Sequence, residues 1–536
     1  MPESLAISSP GRLDLAFDLR SSGQPTCDSL GQIITPGNAW RRPDGPRPDG
    51  SFALVRSDDD AVELLSDAVG SRTLWYAIDR GRLLVATTQR AIVRRLGSFD
   101  CAPEAASWML LTGTPGPRRS WDQRIRMLPP ACTLRVARPD GRTTQTSHER
   151  TFRPERLSDS ALVDRFEQTL RSVFDRLDYA DRRWMLPLSG GWDSRGLLFL
   201  LRPDARPRTY THTAPGTETV STGDAALAKR LAARAGVSNR LFPMAVAEDL
   251  SAAEILARFV RRSDGRIDHI AGFVDGFAVD AALRDDGVAS IIRGEEGFGK
   301  RLVASDRDAR LNVGLPRPDD YANFPALLRL GLTPPSGPDW ADRDGGETRE
   351  QYRDRLCHQW RLPVVLASLA STHAAFVDVV SPLVFGDIVD FVHTLPDHLR
   401  TGKRAFRRVV RRLGTDDIPI ATTGAAPDLR AFLSGDGFAA TVRERLADTP
   451  DLFPEPVAAT ILTAAQTHRA EAAGAPSLSR RLRRGISRTD AGKRLLGVVK
   501  THVRPPTLPP HTLLLRMAIA LETVAQFRAV AGERGT

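Results

Sequence analysis

Cysteine is scarce in this sequence, with four residues among 536. Cys27, Cys101, Cys132 and Cys357 lie so far apart that they form neither the close spacing of a zinc site nor a dense disulfide framework. Scattered thiols of this kind fit a reducing compartment. We therefore expect a cytoplasmic protein.

Long apolar runs are also missing. No stretch approaches the roughly 18 consecutive apolar residues that a membrane-spanning helix needs, and the apolar segment at residues 362–369 is far too short. Residues 1–12 lack the basic segment and following apolar stretch of a signal peptide. The sequence predicts no membrane partner.

The net charge is +10, from 75 Lys and Arg against 65 Asp and Glu. A positive surplus favours nucleic-acid binding, but no zinc finger and no basic stripe with interleaved aromatic residues accompanies it. Arg far outnumbers Lys, and Ala, Gly and Pro are abundant, as in proteins from GC-rich genomes. We therefore expect no nucleic-acid partner. The basic cluster at residues 480–484 fits a partner protein or an acidic substrate as well.

Length and composition, with 41% hydrophobic and 26% charged residues, indicate a globular protein of two or more domains. Up to about Val136 the pattern predicts short strands and turns, including a hairpin of residues 74–78 and 83–87. A polar stretch at residues 139–154 is the predicted linker. The predicted domains are residues 1–150 and 151–536.

Beyond the linker, helical and extended patterns alternate, which predicts an α/β domain with a parallel sheet and sites at the carboxyl ends of its strands. After about Ala421 the pattern is helical, interrupted by prolines and rich in arginine. The predicted strands are residues 184–188, 209–213 and 288–292, and the predicted helices are residues 158–176, a helix from residue 194, and residues 224–235.

One segment carries most of the chemical information, the run Ser-Gly-Gly-Trp-Asp-Ser at residues 189–194, here called the glycine loop. Gly190 and Gly191 let backbone N–H groups approach an anion closely, and the following helix start favours a phosphate. The hydroxyls of Ser189 and Ser194 can donate hydrogen bonds. Asp193 would repel a bare phosphate, so its carboxylate is predicted to hold Mg²⁺. The alternative is an ordinary strand-to-helix turn.

A second glycine-rich segment, residues 294–301, nearly spells a Walker A loop. That motif requires Ser or Thr after its lysine, and Arg301 stands there instead. Two adjacent glutamates would also repel the phosphates. We therefore reject a P-loop nucleotide triphosphatase.

The glycine loop resembles the pyrophosphate-binding loop of the ATP-pyrophosphatase superfamily, and the rest of the chain resembles its asparagine-synthetase-like branch. Residues 291–299 resemble the acidic signature of that family, and residues 381–391 resemble its later Pro-Phe-Leu-Asp stretch. The Leu-Pro pair at 395–396 and the helix with Lys403 follow in the family's order. Segments from Asp49 onward are similar to the family's glutaminase domain.

The resemblance implies an α/β protein with an N-terminal, degenerate glutaminase-like (Ntn-type) β-rich domain, and a parallel-sheet ATP-pyrophosphatase domain with a helical C-terminal region. It implies ATP and Mg²⁺ as cofactors. It also implies Lys403 as a charge-stabilising catalytic residue and Asp378 as a base for the amine. Separately, the position of Asp224 at the start of the predicted helix 224–235 indicates a helix N-cap or a substrate contact. The implied ATP-binding residues are Leu188, Ser189, Gly190, Gly191, Asp193, Ser194 and Gly294, and the implied metal ligands are Asp193 with Glu295 or Glu296.

Two departures from the family pattern shape the functional expectation. Position 2 is Pro2, where the family has its nucleophilic cysteine, so we expect a glutaminase domain that releases no ammonia. The acidic loop carries Glu295 and Glu296, where the family has Asp and then Glu, which leaves open which glutamate meets the metal.

Members without that nucleophile join a carboxylate to an amine of the same substrate. The resemblance points to the lasso peptide macrolactam synthetases, which adenylate an Asp or Glu side chain, join it to the N-terminal amine, and work beside a leader peptidase and a leader-binding protein. The alternatives are a β-lactam or carbapenam synthetase, an ammonia-dependent asparagine synthetase, and an inactive scaffold.

Overall fold

The first part of the chain forms two antiparallel β-sheets. The computed structural model describes residues 12–148, 150–213, 220–421, 429–434, 436–472 and 505–532. The two sheets have the strand orders β1-β6-β5-β7 and β2-β3-β4-β8-β9, and apolar side chains from both pack into one core. The strands are β1 (Asp14–Asp18), β2 (Thr26–Ile33), β3 (Gly50–Ser57), β4 (Ala61–Ser66), β5 (Trp75–Asp79), β6 (Arg82–Ala86), β7 (Arg126–Met127), β8 (Cys132–Ala137) and β9 (Thr143–Ser147).

The hairpin predicted from residues 74–87 is confirmed, as β5 and β6 pair antiparallel with Asp79 opposite Arg82. Its two-residue turn places Arg80 at φ 50° and Gly81 at φ 80°. Positive φ at both positions is the geometry that matches the twist of the two strands. Glycine adopts it without a steric penalty, whereas arginine accepts some strain.

The linker predicted at residues 139–154 is wrong in its middle, where residues form β9. This strand pairs antiparallel with β8, from Cys132 opposite Ser147 to Val136 opposite Thr143. All five β9 side chains are exposed, so no apolar alternation marked the strand. Its β-branched threonines nevertheless favour extended backbone, and the open edge of β8 supplies the partner.

A parallel five-stranded sheet, in the order β12-β11-β10-β13-β14, organises the second part of the chain and confirms the predicted α/β architecture. The three predicted strands all lie in it. The strands are β10 (Trp184–Pro187), β11 (Arg208–Thr213), β12 (Asn239–Pro243), β13 (Ser290–Ile292) and β14 (Asp378–Val380).

The helices cover both faces of this sheet and extend to the C-terminal part. The helix predicted from residues 158–176 begins after Ser158, whose hydroxyl accepts the N–H of Ala161 as an N-cap. The α-helices are α1 (Gln89–Leu96), α2 (Ala105–Thr112), α3 (Asp159–Phe174), α4 (Trp192–Leu200), α5 (Asp224–Ala235), α6 (Ala252–Ser263), α7 (Ala278–Asp285), α8 (Asp306–Val313), α9 (Phe324–Arg329), α10 (Arg349–Leu356), α11 (Ala367–His373), α12 (Gly386–Val392), α13 (Asp397–Arg400), α14 (Arg404–Arg411), α15 (Leu429–Ser434), α16 (Asp436–Asp448), α17 (Glu455–Ala472) and α18 (Pro510–Gly532), and a π-helix spans Cys357–Leu366.

The helix α18 joins the two parts of the molecule. It is apolar on nearly all sides, which is typical of a buried helix, and it contacts α1, α2, α6, α16 and α17. Its charged side chains are paired, Arg516 with Asp268 at 2.7 Å and Glu522 with Arg445 at 2.7 Å. Within the described ranges, no helix has both the length and the apolar character needed to cross a bilayer.

Candidate active site

The sheet order creates a crevice at the carboxyl end of β10. From β10 the chain passes through α4 to β11 on one side, and it later returns to β13 on the other side. Ligands of open α/β sheets bind where strand connections diverge in this way. The glycine loop follows β10, and residues 294–299, here called the acidic loop, follow β13. A methyl group added to Gly294 would lie 2.7 Å from the Cβ of Asp193, so the two loops touch.

Hydrogen bonds within the glycine loop, and from the residue before it to β11, fix the conformation of the loop. Leu188, which precedes it, is buried and donates its N–H to the carbonyl of Tyr210 at 2.7 Å. The N–H of Ser189 donates to the Ser194 hydroxyl at 3.1 Å, and the N–H of Gly191 donates to the Ser189 hydroxyl at 3.2 Å. The loop is therefore a preformed turn at the start of α4.

One N–H group of the loop is engaged by a distant carboxylate, because Gly190 donates to Asp224 Oδ1 at 2.8 Å. Asp224 is the first residue of α5, and its N-cap position is taken by Gly223, so the expected capping role of Asp224 is wrong. Its carboxylate instead joins the start of α5 to the glycine loop. A phosphate that needs the Gly190 N–H would have to displace this carboxylate.

Asp193 and Lys403 meet at the mouth of the crevice. The Nζ of Lys403 lies 2.5 Å from Asp193 Oδ2 and 3.4 Å from Glu296 Oε1. The other carboxylate oxygen, Asp193 Oδ1, is buried and has no hydrogen-bond partner within the described part of the chain. A buried carboxylate oxygen without a donor is costly, and a cation bound there would satisfy it.

The backbone conformation at Lys403 and the packing of α14 against α4 place the Lys403 side chain beside Asp193. Lys403 itself has φ 60°, in the left-handed region that a lysine seldom adopts. Such conformations persist where the surrounding structure enforces them, and they cluster at functional sites. Gly196 on α4 lets Phe406 of α14 approach so closely that an added methyl group would lie 2.4 Å from the Phe406 ring. This packing brings the start of α14, and with it Lys403, beside the start of α4.

Glu296 is the glutamate that faces this cluster. Its Oε2 accepts the N–H of Phe298 at 2.6 Å, and its Oε1 lies 3.5 Å from the Nζ of Lys300. Burial raises the pKa of Glu296, while the ammonium groups of Lys300 and Lys403 act in the opposite direction. The carboxylate therefore depends on these two lysines for its charge.

Glu295 points to a different neighbourhood. Its Oε2 accepts the hydroxyl of Ser381 at 3.2 Å, and its Oε1 lies 3.2 Å from the Nε of Arg293. Of the two glutamates named as metal ligands, Glu296 lies next to Asp193 and Lys403, whereas Glu295 lines the space towards β14.

The structure does not bring Asp378 to the crevice. Asp378 is the first residue of β14, at the amino end of the sheet, opposite the glycine loop. Its carboxylate accepts hydrogen bonds from both terminal nitrogens of Arg72, one of them at 2.9 Å. Arg72 belongs to the N-terminal part of the chain, between β4 and β5. The expected role as a base for the amine finds no support in this position, and the geometry assigns Asp378 to the contact between the two parts of the molecule.

Two participants were missed by the sequence reasoning. Lys300 was weighed only as part of a rejected Walker A motif, yet its ammonium group supports Glu296. The rejection itself agrees with the structure, because the next helix, α8, begins only at Asp306. Gly299, at φ 93°, lets Lys403 pass so closely that an added methyl group would lie 2.1 Å from its Cγ. The glycine spacing of the acidic loop is the one sequence signal that could have indicated this close approach of Lys403.

The carboxylates beside the glycine loop fit the ligand preference of Mg²⁺. Magnesium in phosphate-transfer sites is usually held by one or two carboxylates together with substrate phosphates and water. Asp193 and Glu296 supply two carboxylates, and Asp193 Oδ1 is the orphaned oxygen. Among the residues that the structure describes, no group of three His, Cys, Asp or Glu side chains is arranged to cage an ion alone.

None of the four cysteines has an activated thiol. Burial raises the pKa of Cys27, and it raises those of Cys101, Cys132 and Cys357 to about 11. Nucleophilic cysteines instead have a lowered pKa. Pro2, at the position expected for the nucleophile, lies outside the described residues.

Comparison with known proteins gives no further assignment: no protein-family model matches the chain, and no curated protein matches it significantly.

Proposed function

We propose that this chain is an ATP-dependent, AMP-forming amide ligase. The observation that carries the proposal is the cluster of Asp193, Glu296 and Lys403 beside the glycine loop, at the carboxyl edge of the parallel sheet. It combines the groups that adenylate formation requires: a turn for phosphates, carboxylates for Mg²⁺ and a cation for developing negative charge.

Each residue has a defined part in this chemistry. ATP is a substrate whose pyrophosphate rests against the glycine loop, where the start of α4 favours negative charge. Asp193 and Glu296 would hold Mg²⁺, which neutralises phosphate charge when bound. The ammonium group of Lys403 stabilises negative charge on the α-phosphate and, after amine attack, on the tetrahedral carbonyl oxygen.

We further propose that the carboxylate and the amine belong to one peptide. A substrate Asp or Glu side chain attacks the α-phosphorus, pyrophosphate leaves, and the N-terminal amine attacks the acyl-adenylate with loss of AMP, closing a macrolactam. Joining two ends of one molecule replaces an encounter in solution, which contributes roughly 7–11 kcal/mol when the ends are well positioned. The raised pKa values of all four thiols support an amine, rather than glutamine-derived ammonia, as the acceptor.

The test is release of AMP and pyrophosphate from Mg·ATP in the presence of peptides that carry Asp or Glu several residues after the amine, followed by mass spectrometry. We expect AMP and a product lighter by one water. Asp193→Asn should lower the rate by about 100-fold or more, as loss of a charge-stabilising group does. Asp204→Asn is the matched control, because Asp204 is exposed and pairs with Arg202 on the surface.

Other results would redirect the proposal. AMP release with a small β-amino acid but with no peptide would place the enzyme among β-lactam-type cyclases. Asparagine formed from aspartate and ammonium would indicate an asparagine synthetase. Full activity of a folded Asp193→Asn variant, or no AMP with any substrate, would refute the ligase mechanism.

A further inference from the structure

A second cleft lies between the N-terminal sheets and the helices of the second part, away from the glycine loop. Its cavity volume is about 110 Å³, several times the roughly 10–15 Å³ that one water molecule needs. Six of its fourteen described lining residues are Arg or His, and none is Asp or Glu. The basic residues are Arg118, His148, Arg150, Arg355, His358 and His393.

The cleft has an exposed mouth and a buried base. His148, which follows β9, is exposed, and Arg150 is partly buried. His358 on the π-helix and His393 at the end of α12 are buried. The ring of Phe152 stacks on His393 with a centroid distance of 4.3 Å, so the base is rigid. The cleft therefore extends from the exposed His148 to the two buried imidazoles.

The charge at Arg150 is only weakly compensated. Arg150 donates its Nε–H to Asp390, a carboxylate that is 59% exposed and so faces water. Arg355, in contrast, is bound through two nitrogens to Glu347 at 2.5 and 2.8 Å. Of these two arginines, Arg150 is the one available for a further charged partner.

Arg47 adds positive charge behind the mouth. It donates to the carbonyl of Cys132 at 3.3 Å, while its second terminal nitrogen is buried without a hydrogen-bond partner within the described chain. The pKa of His148 is lowered by burial and then by Arg47 and Arg150. The mouth thus brings together Arg47, His148 and Arg150, and the carboxylate paired with Arg150 is the solvent-exposed one of Asp390.

We propose that this cleft binds a small anionic molecule through a phosphate or carboxylate group, with Arg150 as its charged contact and His148 as an N–H donor at the mouth. Arginine and imidazole N–H groups are strong donors to such oxygens. The site is independent of the glycine loop. The base of the cleft nevertheless contacts the acidic loop directly, because His358 donates its Nε2–H to the carbonyl of Gly297.

The test is isothermal titration calorimetry of the full chain with inorganic phosphate and, separately, with citrate, at constant ionic strength. We expect one-to-one binding of at least one anion, and a loss of affinity of about tenfold or more in Arg150→Gln, as expected for removal of a charged hydrogen bond. His148→Gln should weaken binding in the same direction and serves if Arg150→Gln does not fold. Arg142→Gln, on the exposed surface of the same domain, should bind as the unmodified protein does.

The two anions separate the sources of the ligand group. Binding of phosphate alone identifies a phosphate ligand, and binding of citrate alone identifies a carboxylate. If neither anion binds, or if folded Arg150→Gln and His148→Gln variants bind with unchanged affinity, the proposal is overturned.

Discussion

At Gly294 the backbone of the acidic loop passes within van der Waals contact of Asp193. An alanine Cβ there would lie 2.7 Å from the Asp193 Cβ, closer than side chains tolerate. We predict that Gly294→Ala lowers the free energy of unfolding by about 1–3 kcal/mol, the usual cost of overpacking. It should also weaken ATP binding, because Asp193 must move.

Gly272→Ala is the control for this prediction, since no described residue beyond its own helical turn has an atom within 4 Å of the position of the added methyl group. Thermal unfolding and ATP titration of the two variants provide the comparison. Equal stability and equal ATP affinity in both would show that the two loops separate easily and that their contact is unimportant.

At the same scale, the sequence predicts some side chains of the site and leaves others undecided. The roles of Asp193 and Lys403 follow from motifs, and the structure brings their side chains together. Which of Glu295 and Glu296 faces Asp193 depends on their partners, which are Ser381 for Glu295 and Lys300 for Glu296. The two glutamates are adjacent in the sequence, so the sequence alone does not specify these different partners.

Elements with a regular apolar period were predicted well, and elements without one were missed. The helix α5 has the predicted bounds, because its alanines and leucines recur on one face. The strand β9 has no buried face, and the π-helix Cys357–Leu366 contains Pro363. Proline within a helical pattern predicts a break in the helix. Here the wider winding of the π-helix accommodates Pro363, and the chain continues into α11. This winding places His358 between the cleft and the acidic loop.

The residue that follows helix α12 is His393, whose protonation should affect stability. Burial lowers the pKa of His393 to about 3, with further lowering by His358 and the nearby arginines. In the unfolded chain the pKa is near 6.5. Below that value the unfolded state binds a proton that the folded state does not, so the free energy of unfolding falls as the pH drops from about 6.5 towards 3, by at most about 1.4 kcal/mol per pH unit.

We predict that His393→Phe removes this part of the pH dependence. Urea unfolding between pH 7 and 4.5 should show a smaller slope of stability against pH in the variant than in the unmodified protein. Identical slopes for His393→Phe and the unmodified protein would mean that His393 is protonated in the folded state.

At the scale of the whole molecule, the two parts share one core. Trp75 and Leu84 from the N-terminal sheets belong to the same apolar cluster as Phe259 of α6 and Ile519 of α18. The predicted division at residue 150 describes the change from antiparallel to parallel sheets. It does not describe two separately packed bodies, because sequence patterns report the periodicity of elements and say little about which apolar faces meet.

Arg72 and Asp378 form a buried ion pair between the two parts that share this core. Their side chains are 5% and 10% exposed. Removing one partner leaves an uncompensated buried charge, so Arg72→Met and Asp378→Leu should each cost about 3–5 kcal/mol. The double variant should lose less than the sum, because no charge remains buried and unpaired. Urea unfolding of the three variants measures this. A fully stable Asp378→Leu protein that has lost ligation would contradict the structural role and return Asp378 to the chemistry.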